Sequence, residues 1–338
     1  MPRNCRNLPR LLIAPALTIM MFLSGGCAAI TNYYGLKDIS VEELKATYAN
    51  AESEFIPVNN MMVHVRDEGA GPVLVLLHGA LSSLHTWDEW VPVLSQDYRV
   101  IRMDLPAFGL TGLPGDGSAA FSPDLVKDTV IKVLENRQVT SATFIGNSLG
   151  GYISWRLAVD RPDLVNRVVL IDAVSFPQQW TWIVKAPTWF PLRQLAPLIT
   201  PRYTIAIGIY QAYGDDGRVA PGTIERYHRL LLREGNRDAM LEALDWVIST
   251  EKPFGSEPEA GIRDVRQPLM TMWGGKDTWI PYDPVGKQWQ AAYPDATHAV
   301  YPDAGHVPME EIPSRTLMDL LTFLQATDPE PASIRGSR

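Results

Sequence analysis

The 338-residue chain predicts an α/β fold: a mainly parallel, twisted sheet with helices on both faces and a helical insertion in its second half. Three observations predict it. Short apolar, β-branched runs such as Val73–Leu77, Arg99–Met103 and Arg167–Ile171 alternate with stretches of helical periodicity, the pattern of buried parallel strands joined by crossovers. The run Thr143–Ile145 breaks at Gly146-Asn147-Ser148-Leu149-Gly150 before a helix-like segment begins, which requires a sharp strand-to-helix turn with close backbone approach. From Phe176 to about Ile262, proline-punctuated apolar segments replace the alternation.

Taken from the N-terminus, Arg3, Arg6 and Arg10 precede the apolar run Leu11–Leu23, followed by Ser24-Gly25-Gly26-Cys27. This is the order of a secretory leader (residues 1–26), too short at its apolar centre for a comfortable bilayer span. The cysteine after small residues resembles a bacterial lipoprotein processing site. That resemblance implies cleavage before Cys27, lipid on its sulfur and a membrane-anchored envelope protein; plain secretion, or an uncleaved anchor, is the alternative. Residues 27–54 read as a connector with one helix at Val41–Tyr48.

Strands are expected at Phe55–Val58, Met62–Val65 and Val73–Leu77, then a helix at Leu84–Leu94 and the strand Arg99–Met103. Asp124–Asn136 reads as a helix. Thr143–Ile145 is the next strand and Leu149–Ala158 the helix after it, with Leu149, Ile153 and Leu157 at four-residue spacing. Arg167–Ile171 follows. In the insertion, Pro177, Pro187, Pro191, Pro197 and Pro201 separate short helices, and Tyr227–Val247 reads as one longer helical stretch. The sheet resumes at Leu269–Trp273, with a helix at Tyr282–Tyr293, the strand His298–Tyr301 and a closing helix at Ser314–Leu324. The expected organisation is therefore a core of residues 55–175 and 263–326, a helical cap of 176–262 and a solvated tail, 327–338.

The chain is 46% hydrophobic and 20% charged, with a formal charge of −8. An acidic balance argues against a nucleic-acid partner, which needs a basic face. The only cysteines are Cys5 and Cys27, so the folded domain has no disulfide, thiolate metal site or cysteine nucleophile. The six histidines form no HExxH or paired motif, and neither a metal nor another cofactor is expected.

The chemistry points to the turn. A serine at a tight strand-to-helix bend exposes its hydroxyl beside the N–H groups of a helix N-terminus, and it becomes a nucleophile when a base removes its proton. Ser148 is that candidate. His78-Gly79 follows the strand Val73–Leu77, where the Ala80 N–H is placed to form an oxyanion site with that of Leu149. Asp277 follows the strand ending at Trp273, and His306 follows the last strand. Asp172, after Ile171, is a rival for the acid. The order Ser, Asp, His with these motifs resembles the α/β-hydrolase superfamily, in its capped branch, over Phe55–Gln325.

The resemblance implies that His306 deprotonates Ser148, Asp277 orients the imidazole, and an acyl-enzyme forms and is hydrolysed. Activity is then expected to fall below pH ~6–7, where histidines gain a proton. Haloalkane dehalogenases and epoxide hydrolases carry aspartate at the position of Ser148, which disfavours both. His85 is a candidate pocket residue. His64, His228 and His298 are expected on the surface or in packing, His78 and Asp104 in shaping loops, and Glu311 and Pro313 in helix entry.

Phe176, Trp180, Trp182, Trp189, Phe190, Tyr203, Tyr210 and Tyr213 in the insertion either line an apolar acyl pocket or form the cap's own core. Together they point to a small apolar ester as substrate. Asn147 before the serine resembles hydrolases that cleave carbon–carbon bonds in aromatic ring-fission products, one alternative. A non-catalytic binding protein on the same fold is the other.

Overall fold

The computed structural model describes residues 30–115, 117–251 and 261–327. The leader, Cys5, Cys27 and nearly all of the tail lie outside these. Eight strands form one sheet: β1 (Ser53–Val58), β2 (Met61–Glu68), β3 (Val73–Leu77), β4 (Arg99–Met103), β5 (Ala142–Asn147), β6 (Val165–Ile171), β7 (Leu269–Gly274) and β8 (Thr297–Tyr301). Their order is β1-β2-β4-β3-β5-β6-β7-β8. β1 and β2 form an antiparallel hairpin, β2 also pairs antiparallel with β4, and every other pairing is parallel. The hairpin turns at Asn59-Asn60, both at positive φ (50° and 58°). Asparagine tolerates that conformation, which matches the twist of the flanking strands.

The central strands are apolar on both sides because both faces are covered. In β3, Val75 and Leu77 enter one core and Leu74 and Leu76 the other, as the two-residue period of a strand requires. Helices Pro123–Asn136 and Leu149–Asp160 place Val130, Val133, Leu149 and Ile153 in the first core. Helix Pro313–Thr327 places Leu317, Leu320 and Leu324 in the second.

β3 pairs with β4 on one side and β5 on the other, so the chain reverses its direction of travel across the sheet there. In open parallel sheets a crevice forms at such a switch point, beyond the carboxyl ends of the strands. The turns after β3 and β5 carry Gly79-Ala80 and Ser148. Between β6 and β7 lie the helices Arg202–Ala212, Thr223–Leu231 and Asn236–Ser249 with shorter turns before them.

Two expected helices divide. Leu84–Leu94 is a tight turn at Leu84–Trp87 and a separate single turn, Val91–Leu94, with Pro92 in its first turn; proline, lacking an N–H, is tolerated only there. Tyr227–Val247 breaks between Leu231 and Asn236, with Gly235 at φ +83°. The Asn236 side chain holds that break by donating to the carbonyls of Gly109 and Leu230. The segment Tyr282–Tyr293 opens with a wide turn, Tyr282–Gly286, before the helix Lys287–Ala292. No helix among the described residues is long and apolar enough to cross a membrane.

Candidate active site

Ser148 sits between β5 and the helix Leu149–Asp160 at φ +54°, ψ −114°, a conformation a side-chain-bearing residue adopts only when its surroundings enforce it. The neighbouring glycines show the enforcement. A Cβ on Gly146 would lie 2.2 Å from the Gly150 carbonyl oxygen, and one on Gly150 would lie 2.1 Å from that of Leu77. Strand and helix therefore meet at backbone contact, and the Ser148 hydroxyl is turned out of the sheet. Ser148 is 8% exposed and lines a cavity of about 410 Å³ that His306 and Ala80 also line.

The turn after β3 packs against this bend: a Cβ on Gly79 would approach the Asn147 Oδ1 and Ser148 Cβ to about 3 Å. His78 shapes that turn, as expected. Its Nδ1–H donates to the Gly79 carbonyl (2.7 Å) and its Nε2 accepts from the Leu105 N–H (2.9 Å), so both ring nitrogens are committed in the neutral form. Burial lowers its pKa in the same sense. Leu149 is the first residue of its helix, and its N–H is one of those with no intrahelical acceptor.

His306 lies in the loop after β8. Its Nδ1 donates to Asp277 Oδ2 at 2.7 Å, and the Trp279 ring packs beside the imidazole with centroids 5.2 Å apart. The other Asp277 oxygen accepts from the N–H groups of Trp279 (2.7 Å) and Ile280 (3.1 Å). The His306 main chain is held by the Asn147 amide, which donates to the His306 carbonyl (3.0 Å) and to that of Ile171 (3.2 Å). Glu311 braces the same loop by accepting from Gly305 and Gly214 N–H groups (2.6 and 2.9 Å).

Asp172, the rival acid, stands behind Asp277 rather than on the histidine. It is fully buried, accepts from the Gly274 N–H through Oδ1 (2.9 Å), and its Oδ2 has no partner as a carboxylate. Burial first, then the Asp277 charge, push its carboxyl well above the usual carboxylate range. Asp172, Asp277 and His306 offer ligand-type atoms within 4.8 Å of one another. His306 Nδ1 and both Asp277 oxygens are already committed to hydrogen bonds within this group.

Other residues separate from this centre. His85 does not line the cavity; it is buried against the Tyr48 carbonyl and the Arg66 guanidinium, because the expected helix around it is a tight turn. His64 packs in the interior, with Nδ1 2.8 Å from Asp104 Oδ2. Asp104 also accepts from the N–H groups of Leu84 and Leu110 (2.8 Å each). Burial, the largest influence, would raise its pKa, but His64 together with His78 and His85 holds it low. His228 is buried on the Thr200 carbonyl, and the half-buried His298 bonds that of Tyr293. Of the insertion aromatics named above, Trp180, Tyr203 and Tyr213 line the cavity, and Tyr227 joins them. Phe176 packs edge-on against Trp289, while Trp182, Trp189, Phe190 and Tyr210 are exposed.

Glu310 is a site residue that sequence reasoning missed. It accepts from Thr86 of the core (2.5 Å) and from Tyr213, Arg226 and Tyr227 of the insertion (3.0, 2.8 and 2.8 Å). Tyr227 also meets Ser82 at 3.1 Å. One carboxylate thus fastens the insertion to the core at the cavity wall. The only local signal is a second acid beside Glu311, which does not distinguish it from a solvated helix start.

The pattern of a family described as α/β hydrolase fold matches residues 72–313. A pimeloyl-[acyl-carrier protein] methyl ester esterase of Photobacterium profundum is 25% identical over 274 residues, 76% of this chain and 96% of that protein. A 2-hydroxymuconate semialdehyde hydrolase of a Pseudomonas species is 35% identical over 119 residues, 34% of this chain and 41% of that protein. Among solved structures, a meta-cleavage product hydrolase of Pseudomonas fluorescens superposes with a TM-score of 0.70 at 20% identity, covering 82% of this chain and 99% of its own.

Proposed function

The chain belongs to the α/β hydrolase fold family, and from that premise we propose that it is a serine hydrolase cleaving carboxylic esters of small apolar acyl groups. The observation that carries the reading is the 2.7 Å bond from His306 Nδ1 to Asp277, in a loop whose imidazole shares a cavity wall with the strained Ser148. His306 takes the hydroxyl proton through its second nitrogen as Ser148 Oγ attacks the ester carbonyl. Asp277 holds the tautomer and stabilises the imidazolium. The N–H groups of Ala80 and Leu149 receive the oxyanion, each such donor supplying about 3–4 kcal/mol of barrier lowering. The imidazolium returns its proton to the leaving alcohol. Water, deprotonated by the same histidine, then attacks the acyl-enzyme carbonyl and frees Ser148.

The cavity wall supports an apolar acyl group. Ile199, Ile205, Ile209, Met240, Leu244 and Val247 line it, offering dispersion contacts and no buried polar partner for a charged chain. Segment 176–262 acts as the cap that encloses this space. Carbon–carbon hydrolysis is the second reading, favoured by Asn147 and by the ring-fission relatives. The Asn147 amide is committed to the His306 and Ile171 carbonyls, which accounts for that residue through loop placement alone, so the ester reading stands first. We further propose export through residues 1–26 and lipid attachment at Cys27, tested by radiolabelled lipid incorporation that Cys27→Ala abolishes. An unlabelled parent chain would end the anchoring proposal.

A fluorophosphonate probe should label the protein, and Ser148→Ala should remove the label while leaving the fold intact. Persistent labelling of that variant would overturn the nucleophile assignment, and no labelling of the parent would favour a non-catalytic binding protein. A panel of p-nitrophenyl esters beside ring-fission dienes separates the two hydrolytic readings. Turnover of dienes alone would replace the ester assignment with the carbon–carbon one.

A further inference from the structure

The apolar residues of the insertion do not all turn inwards. Phe190 is 83% exposed, Leu198 65%, Trp182 56% and Trp189 48%. Leu192, Leu195 and Tyr203 are exposed and also line the cavity, so this outer surface is continuous with the cavity mouth. Residues 30–34, which are helical, lie beside it: the Tyr34 carbonyl accepts from the N–H of Thr200, another cavity-lining residue (3.1 Å). Ile30, Tyr33, Tyr34 and Leu36 are exposed there as well.

Apart from Lys37 beside Leu36, the cations near this surface are neutralised within the protein. Lys185 pairs with Glu251, Arg193 forks onto Asp245 (2.8 and 2.7 Å), and Arg202 pairs with Glu225 (3.0 Å). A contiguous apolar patch around a cavity mouth marks an interaction surface, and this one has too little unpaired charge with which to select a charged partner. The chain preceding it decides among occupants. Only Ser24 to Ala29 separate Ile30 from the apolar run Leu11–Leu23, and Cys27 falls within that stretch.

We propose that this face docks on a phospholipid bilayer, so that the cavity opens towards the acyl region and takes its ester directly from the lipid phase. The proposal rests on the anchored reading given above and extends it. A single lipid chain holds a protein at a membrane only marginally, and stable attachment takes a second contact; the exposed tryptophans and tyrosines are residues that settle at headgroup level. Because the face is apolar and its cations apart from Lys37 are paired, salt should leave docking unchanged, unlike a polybasic contact.

The ten tryptophans all fall within the described residues, and of these Trp182 and Trp189 are the exposed ones. That permits a direct test with the full chain on phosphatidylcholine vesicles whose acyl chains are either brominated or plain. Tryptophan emission is expected to fall in the brominated vesicles by about the share of two tryptophans in ten. Raising the salt should not restore it, and Trp182→Phe with Trp189→Phe should abolish the fall. Equal emission in both vesicle types, with the protein sedimenting alongside them, would show tethering without insertion of the face and overturn the proposal. Self-association without lipid, relieved by Phe190→Ser and unaccompanied by quenching, would assign the face to a second copy instead.

A second variant, Phe190→Ser with Leu198→Ser, should hydrolyse a water-soluble short ester at the parent rate. On an ester of the same short acyl group with a long-chain alcohol, dissolved in vesicles, it should be slower by about tenfold or more, from lost burial of two large apolar side chains. Equal loss on both esters would overturn delivery from the bilayer. Quenching that persists in a protein inactive on every ester would remove the esterase reading and leave the docking face standing.

Discussion

Two carboxyl groups approach one imidazole, and they are set apart by what each accepts. Asp277 receives three N–H groups, from His306, Trp279 and Ile280. Asp172 receives one, from Gly274, and is fully buried beside the other acid, which pushes its carboxyl pKa up. Asp277→Asn should therefore lower kcat by about 10⁴-fold, the scale known when an amide fixes the wrong tautomer. Asp172→Asn replaces a neutral donor–acceptor with another, so kcat/KM should stay within about tenfold, with the pH profile unmoved. A large loss, or a displaced profile, would mean that Asp172 is charged and acts on the histidine itself. At this scale the serine was legible in the sequence, because its glycines answer to local backbone sterics. The sequence named Asp277 ahead of Asp172 through the family resemblance rather than through the residues themselves, since both follow strands; the loop after β8 is what brings His306 onto Asp277.

At the scale of elements, a tight joint is that between β3, β5 and the helix Leu149–Asp160. Gly150→Ala would drive a Cβ to 2.1 Å from the Leu77 carbonyl oxygen and should cost about 1–3 kcal/mol or more, read as a lowered urea midpoint. Gly208, within Arg202–Ala212, has nothing within 4 Å of its Cβ position. Gly208→Ala should stabilise by about 0.5–1 kcal/mol through helix propensity. The insertion is fastened at Glu310, and Glu310→Ala would leave the Arg226 guanidinium, paired there at 2.8 Å, buried without its acid. A loss of about 3–5 kcal/mol is expected, with earlier proteolytic cleavage between β6 and β7; an unchanged cleavage pattern would show that other contacts hold the insertion. The strands were readable because each is a continuous buried run. The false helices at 84–94 and 227–247 kept helical periodicity across a break, and there Pro92 and Gly235 were the available warnings.

For the whole molecule, the acid limb of stability should follow the buried histidines. Burial is the main cause that lowers the pKa of His85, from 6.5 to about 4, and it lowers those of His78 and His228 too. The unfolded chain then binds protons that the folded chain refuses, so stability falls as pH drops from about 6.5 towards 4. His85 alone accounts for about 3 kcal/mol across that window. Asp172 and Glu311 act with the opposite sign: burial raises both, so their contribution is present at low pH and is lost as pH rises through their folded values. In Asp172→Asn, which removes the larger opposing acid, a urea midpoint clearly lower at pH 4.5 than at 6.5 is expected. A flat dependence in that variant would mean that these imidazoles are hydrated in the fold.

Sequence alone determined the sheet, its sense and the bend that carries Ser148, because these follow from side-chain alternation and backbone sterics within windows of a few residues. It also marked Asp277 and His306 through their places after strands. The tertiary structure decided how residues far apart in the chain divide the remaining work: Asp172 behind Asp277, Glu310 across the insertion, Asn147 on the His306 carbonyl, and Trp180, Tyr203, Tyr213 and Tyr227 of the insertion on the cavity wall while Trp182, Trp189, Phe190 and Tyr210 are exposed away from it. Those assignments depend on how whole elements are placed against one another. A placement of that kind is the sum of many weak contacts, and no single stretch of chain carries it.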